Sequence, residues 1–477
     1  MLFNSFQFFV FYCFVVITLF SLPQRFRWVL LLAASMYFYM CWSPKYIVFL
    51  AFLIMVDYFC GIGMGGTQSK PLRKLLFGIS LFSNIGLLFI FKYFNFFSLN
   101  ASTLFGFSFP VLHYMLPLGI SFHVFQSLSY TIEVYRRRIE PERHAGIFSL
   151  YVMFFPQLVA GPIERPQNLL HQFHEERKFT YENFRSGAQL ILLGLFKKVC
   201  IADLLSIAVN QVYSTPANYS GPVLLLATIY FTTQIYCDFS GYTDIARGVA
   251  KIMGYDLMIN FRQPYFSRSI KEFWQRWHIS LSTWFRDYVY HPLGGSRVTQ
   301  MLIFRNFLVV FIISGLWHGA AWTFVIWGGL HGMYMIAGEV TRLWRKKIVV
   351  MFKLENSRLL HLFQIFITLN LVMIGWVFFR ASTLQNAWYI LSHMYIPARI
   401  TLYDVSYRMG MDQFSTCLAW MLITLLIIID YFIVYKPPHI SRLWKRKSLR
   451  WITYTIGVYS LIFFGVWGQI QFIYFQF

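Results

Sequence analysis

The chain has 477 residues, of which 57% are hydrophobic and only 13% charged, with a formal net charge of +22. Soluble domains carry about a quarter charged residues, so a soluble protein of this length is excluded and a polytopic membrane protein remains. Positive charge in a soluble chain would suggest nucleic acid. Here the Lys and Arg residues fall in short loops between apolar runs, where they hold membrane topology, and no nucleic-acid role is expected.

In chain order, apolar stretches come first near 6–22, 28–42, 46–60, 75–97 and 113–134. Each is close to the ~20 residues needed to cross a hydrocarbon core of roughly 30 Å. The first lacks a basic n-region and a small-residue cleavage site, and more spans follow it, so it reads as a permanent span and not a signal peptide. Residues 146–160 are apolar but short and end in Pro156 and Gly161-Pro162. A span and a re-entrant hairpin are both open there, and a hairpin at that depth needs a protein-lined cavity. Glu164–Arg185 is a polar loop with short helical patches. Further spans near 187–212, 221–240, 303–316, 320–338, 359–379, 414–434 and 451–473 bring the expected total to eleven or twelve. The fold class is therefore all-α: a polytopic transmembrane helical protein with re-entrant and interfacial helices. It reads as one integral membrane domain over 1–477, with its catalytic core at about 113–340.

Basic clusters stand at Arg25/Arg27, at Lys70/Arg73/Lys74, at Arg136–Arg138 with Arg143, at Arg342–Lys347 and from Lys436 to Arg450. Counting spans between them puts all five on the cytoplasmic face and both termini outside. Cys13, Cys41, Cys60, Cys200, Cys237 and Cys417 lie in or beside apolar stretches without framework spacing. They read as small buried hydrophobes, not disulfides or metal ligands.

The middle third differs. From Asp238 to His331 the apolar runs are broken by Asp, Arg, His and Gly at high density. Ionisable residues at membrane depth cost about 2.5–3.5 kcal/mol each, which makes them functional candidates. Residues 270–290 carry helical periodicity, with Phe273, Trp274, Trp277, Leu281, Trp284, Phe285 and Tyr288 on one face and Gln275, Ser282 and Arg286 on the other. This segment is expected to lie oblique or parallel to the bilayer, with its aromatic face in the membrane and His278 at its wet edge.

Three stretches carry the candidate chemistry. YCDFSGYTDIARG (Tyr236–Gly248) holds Asp238, Ser240 and Asp244. The 270–290 helix holds Trp277, His278, Arg286 and Asp287, and continues into His291-Pro292-Leu293-Gly294-Gly295. IISGLWHGAAWTFVIWGGLHG (Ile312–Gly332) holds Trp317, His318 and His331. Small residues flank His318, which suits close approach of a substrate and equally suits tight helix packing. Imidazole has an unperturbed pKa near ~6.5, so its neutral form can take a hydroxyl proton at physiological pH. His331 reads either as a partner of the reacting group or as a packed residue. No cluster has metal-ligand spacing, so no metal is expected.

NFRQPYFSRSIKEFWQRWHISLSTWFRDYVYHPLGGSR (Asn260–Arg297) followed by GLWHG (Gly315–Gly319) resembles the membrane-bound O-acyltransferase family. Within that family it resembles the branch of alginate and peptidoglycan O-acetyltransferases. LPLGISFHVFQSLSY (Leu116–Tyr130), FFPQLVAGPIERP (Phe154–Pro166) and YCDFSGYTDIARG support the resemblance, which runs in matching order to about residue 380. The resemblance implies acyl transfer in a membrane-embedded tunnel, with His318 essential and His278 as the second polar position. Asp238, Ser240, Asp244, Trp277, Arg286, Asp287, Trp317 and His331 become candidates for lining that tunnel. For Asp238, Asp244, Arg286 and Asp287 an internal ion-pair network is equally open. Both histidines are expected to face one water-filled cavity open to the cytoplasm, with Arg262, Arg268 or Arg286 near its mouth.

The implied activity moves an acetyl group from a cytoplasmic thioester, acetyl-CoA as substrate and not as bound cofactor, toward an extracytoplasmic acceptor. An extracytoplasmic partner protein then places it on a polysaccharide such as alginate or peptidoglycan, which locates the chain in a bacterial inner membrane. The alternative is D-alanyl transfer to teichoic acid from a carrier-protein thioester; Leu293–Arg297 (LGGSR) favours the acetyl branch. A transporter or scaffold would not need two histidines in aromatic WH contexts.

Overall fold

Helix termini and spans follow the apolar runs closely. The computed structural model describes residues 1–42, 44–114, 117, 119–158, 161–435, 446–468 and 472–473. Leu116, Leu118, Val159 and Ala160 of the two early motifs lie outside the described residues, as do 436–445 of the last basic cluster and 469–471 of the last expected span.

Among the described residues the chain is helical throughout, with no strand. Six helices are long and apolar enough to cross a membrane: Pro44–Gly66, Lys70–Phe105, Gly221–Ile252, Gln300–His318, Arg358–Arg380 and Gln413–Tyr435. Each coincides with an expected span. The remaining apolar stretches form Phe6–Ser21, Gln24–Met40, Ile120–Tyr135, Tyr181–Leu195, Trp322–Val340 and Lys447–Phe464. Residues 146–160 begin as a nine-residue helix, Ala145–Met153, too short to cross alone. Outer faces are apolar, as a lipid solvent requires: Phe6, Phe9, Phe14 and Ile17 on one helix, Leu359, Leu362, Phe363 and Phe366 on another. The chain is a multi-pass membrane protein.

Two compact units divide the chain, one of Met1–Ile191 with Tyr242–Met258, the other of Leu192–Gly241 with Ile259–Phe477. In the first, two buried charged groups inside the helices, Asp57 and Arg73, are each paired, as a medium without water demands. Asp57 accepts from Ser80 Oγ at 2.6 Å and Asn84 Nδ2 at 2.9 Å. Arg73 donates to the Met64 and Tyr135 carbonyls at 2.6 and 2.7 Å.

The second unit is organised by the antiparallel pair Gln300–His318 and Trp322–Val340. A Cβ at Gly315 would run into the Phe324 carbonyl, and one at Gly328 into the Phe311 carbonyl. Small residues at those positions let the two backbones touch, the usual means of helix association in lipid. Tight packing is therefore a role the small residues around His318 do fill.

Residues 270–290 depart from expectation. They form two seven-residue helices, Ile270–Arg276 and Ile279–Phe285, and a π-helical turn, Arg286–Tyr290. The break falls at His278, whose backbone is left-handed (φ 43°, ψ 55°). Phe273, Trp274, Trp277, Leu281, Trp284 and Phe285 are all buried in protein, so the aromatic face makes core contacts and does not face lipid. Lys271, Gln275 and Arg286 on the opposite side are exposed.

Candidate active site

His318 is the last residue of the Gln300–His318 helix, which ends as Gly319 turns extended (φ −161°). It thus stands at the carbonyl end of the helix. His278 occupies the left-handed break between the two short helices, a conformation costing an L-residue roughly 1–2 kcal/mol. Such strain persists only where the surroundings over-determine it.

The two imidazoles meet, with ring centroids 6.5 Å apart and planes tilted by 58°. Aromatic rings enclose them. Trp317, Trp327 and Phe379 stand 5.0, 5.0 and 5.3 Å from His318, each edge-on. Phe239 lies edge-on to His278 at 4.7 Å, and Trp317 reaches it at 6.1 Å. The expected water-filled cavity does not extend to both rings: His318 is 4% exposed and His278 0%.

The other candidates fall into distinct surroundings. Asp238, 2% exposed, accepts from Lys198 at 2.8 Å, and Lys198 also binds Asp203 at 2.8 Å. Asp238 further accepts the Ile473 N–H at 2.8 Å. Asp238 thus sits in an ion pair, and Phe239, its neighbour in sequence, packs against His278. Ser240 is buried on the same helix. Asp244 belongs to the other unit, where it faces Arg247 at 3.7 Å. Trp277 is buried against Phe261 and Trp376, both 5.0 Å away. Arg286 and Asp287 pair with each other at 2.8 Å, more than half of the Arg286 side chain being exposed. Trp317 touches both histidines. His331 accepts a hydrogen bond from Trp274 Nε1 at 3.3 Å, and its ring is 5.0 Å from Trp327, which separates it from His318. Of the arginines expected at a mouth, Arg268 approaches Glu272 at 3.9 Å and Arg262 is exposed.

Sequence reasoning missed Asn260 as a site residue. Its side chain, 1% exposed, lies 3.2 Å from His278 Nδ1. Only its place at the head of a long motif marked it, and an asparagine in a loop gives no other sign of distant bonding.

The profile of the MBOAT, membrane-bound O-acyltransferase, family matches residues 145–384. The chain belongs to the membrane-bound O-acyltransferase family. It is accordingly an enzyme, an O-acyltransferase. It is 35% identical to a Pseudomonas putida protein named "Probable alginate O-acetylase AlgI", over 95% of each chain. It is 31% identical to the peptidoglycan O-acetyltransferase of Helicobacter pylori, over 94% of this chain and 91% of that protein. The teichoic acid D-alanyltransferase of Bacillus subtilis is 29% identical over 56% of this chain and 70% of its own length. His278, His318 and the rings that enclose them all fall within the family's matched span.

Proposed function

We propose that the protein is the membrane O-acetyltransferase of a bacterial envelope or exopolysaccharide system, with His318 and His278 as its reacting pair. The observation that carries this reading is the apposition of two buried imidazoles at 6.5 Å, one of them on a helix carbonyl end. A donor thioester, acetyl-CoA, reaches the pair from the cytoplasm. An acceptor hydroxyl gives its proton to His318 as its oxygen attacks the acetyl carbonyl. The tetrahedral intermediate collapses, the C–S bond breaks, and the departing thiolate takes the proton back. The ring enclosure keeps water from competing as the acceptor. The acetyl group then passes through an extracytoplasmic partner to the polysaccharide, and the chain resides in the inner membrane. Full-length similarity to proteins named for acetyl transfer supports acetyl over D-alanyl as the group moved.

Replacing His318 with alanine tests the reading. Polysaccharide acetylation is expected to fall by ~10²–10⁴-fold or more, the usual worth of a general base, while protein level in the membrane stays normal. His278→Ala should reduce it less completely. Undiminished acetylation in His318→Ala cells would overturn the assignment. Labelled D-alanine in the product in place of acetyl would redirect it to the carrier-protein reaction.

A further inference from the structure

Asn260 braces the strained turn at His278. The Asn260 main-chain carbonyl accepts the Ile279 N–H at 3.0 Å. The Asn260 side-chain oxygen accepts the Ser280 N–H at 3.1 Å and the Ser280 hydroxyl at 2.9 Å, and lies 3.2 Å from His278 Nδ1. Amide oxygen and nitrogen are told apart by their partners. A backbone N–H can only donate, so the Asn260 atom facing Ser280 is the oxygen. An amide oxygen can only accept, so His278 Nδ1 carries a hydrogen and Nε2 holds the lone pair.

We propose that Asn260 is a positioning residue of the active site, fixing the tautomer and ring plane of His278 so that Nε2 is the ring nitrogen that can accept a hydrogen bond. This deepens the reading of His278 and His318 as the reacting pair and rests on it. The contact fixes which nitrogen of the neutral His278 ring carries the hydrogen, which a packing role alone would not require. Charged and titratable groups on the surrounding elements are otherwise engaged. His318 stands across from His278 on the Gln300–His318 helix. Behind Phe239, Asp238 is bound by Lys198 at 2.8 Å, and Tyr236 donates to Asp430 at 3.0 Å. On the flank of His278, Arg276 pairs with Glu272 at 2.7 Å, and Arg262, beyond Asn260, is exposed.

The test is Asn260→Asp in the full-length chain in proteoliposomes, followed as thiol release from acetyl-CoA against pH. A carboxylate opposite Nδ1–H favours the imidazolium, so the acidic limb of kcat should move to higher pH by about one unit or more. Activity lost on the acidic side should return as pH rises. A role confined to folding would change the amount of protein and leave that limb in place. An Asn260→Asp limb superimposable on the unsubstituted protein, with His278→Ala impaired, would overturn this inference and leave the histidine pair standing. Full activity in His278→Ala would overturn the pair itself. Should Asn260→Asp not reach the membrane, Asn260→Ser replaces it, keeping an acceptor oxygen but shortening its reach. Its kcat should fall about 10²-fold at unchanged donor KM, and an unaltered kcat would refute the positioning role.

Discussion

Glu164 shows how much a single enclosed side chain can govern. It has no exposed surface, and its carboxylate accepts from the Met258 N–H and, at 2.6 Å, from Asn168 Nδ2. Burial nevertheless outweighs these bonds and raises its pKa to about 7. A carboxyl group whose folded pKa lies above its unfolded value binds more protons in the folded state. Its favourable contribution is therefore complete below the unfolded value near ~4.3 and is lost as pH rises through about 7. Glu164→Gln should remove that loss: the melting temperature of the detergent-solubilised protein should fall less between pH 5 and 8 than it does with Glu164. Parallel pH dependence in the two proteins would refute the assignment. Legibility at this scale was uneven. His318 stood out from sequence because a histidine among glycines and apolar residues is costly at membrane depth. Glu164 and Asn260 did not, because their roles are set by Met258 and His278, far along the chain.

At the scale of elements, hydropathy located the spans because lipid acts on composition alone. It could not see local geometry. The π-helical turns at Phe89–Tyr93, Phe196–Ala202 and Arg286–Tyr290 leave apolar periodicity almost unchanged. The break at His278 is likewise imposed from 18 residues away by Asn260. The turn at Phe196–Ala202 holds two consecutive buried lysines, and Lys198 binds Asp203 and Asp238 at 2.8 Å each, with all three side chains no more than 7% exposed. π-Bulges are often found at functional positions; this one ties the Gly221–Ile252 helix to its neighbour beside Phe239. Lys198→Met would leave two carboxylates buried without their cation, a change that typically costs about 3–5 kcal/mol. A steep loss of folded protein is expected in detergent melts. Neutralising all three positions together should recover much of it, because the uncompensated charge is then gone. A Lys198→Met protein that melts like the unsubstituted one would show that the network contributes nothing to folding.

For the whole molecule, the basic clusters make a joint statement about the membrane. Within the first unit, three of them are brought together by contacts. Arg137 donates to Gln68 at 2.8 Å, next to the Lys70–Lys74 cluster, and Arg73 reaches the Tyr135 carbonyl. Trp28, beside Arg27, stands 4.7 Å from the His144 ring, beside Arg143. A common end of that unit thus gathers the positive charge of loops far apart in sequence, as the positive-inside bias requires of cytoplasmic loops. The second unit carries Arg342–Lys347 and Lys447–Arg450, and the bias assigns these to the cytoplasm as well. Single cysteines at Arg25, Lys74, Arg137, Lys346 and Lys447, in a chain freed of its six native cysteines, put this to the test. A membrane-impermeant maleimide should leave all five unlabelled in intact spheroplasts and label them in inside-out vesicles. Cysteines in the connections at 106–113 and 215–220 should give the reverse pattern. Labelling of two or more of the basic-loop cysteines from outside would break the topology. It would also remove cytoplasmic access for the thioester, since the donor is expected to approach the histidine pair from the face those clusters define.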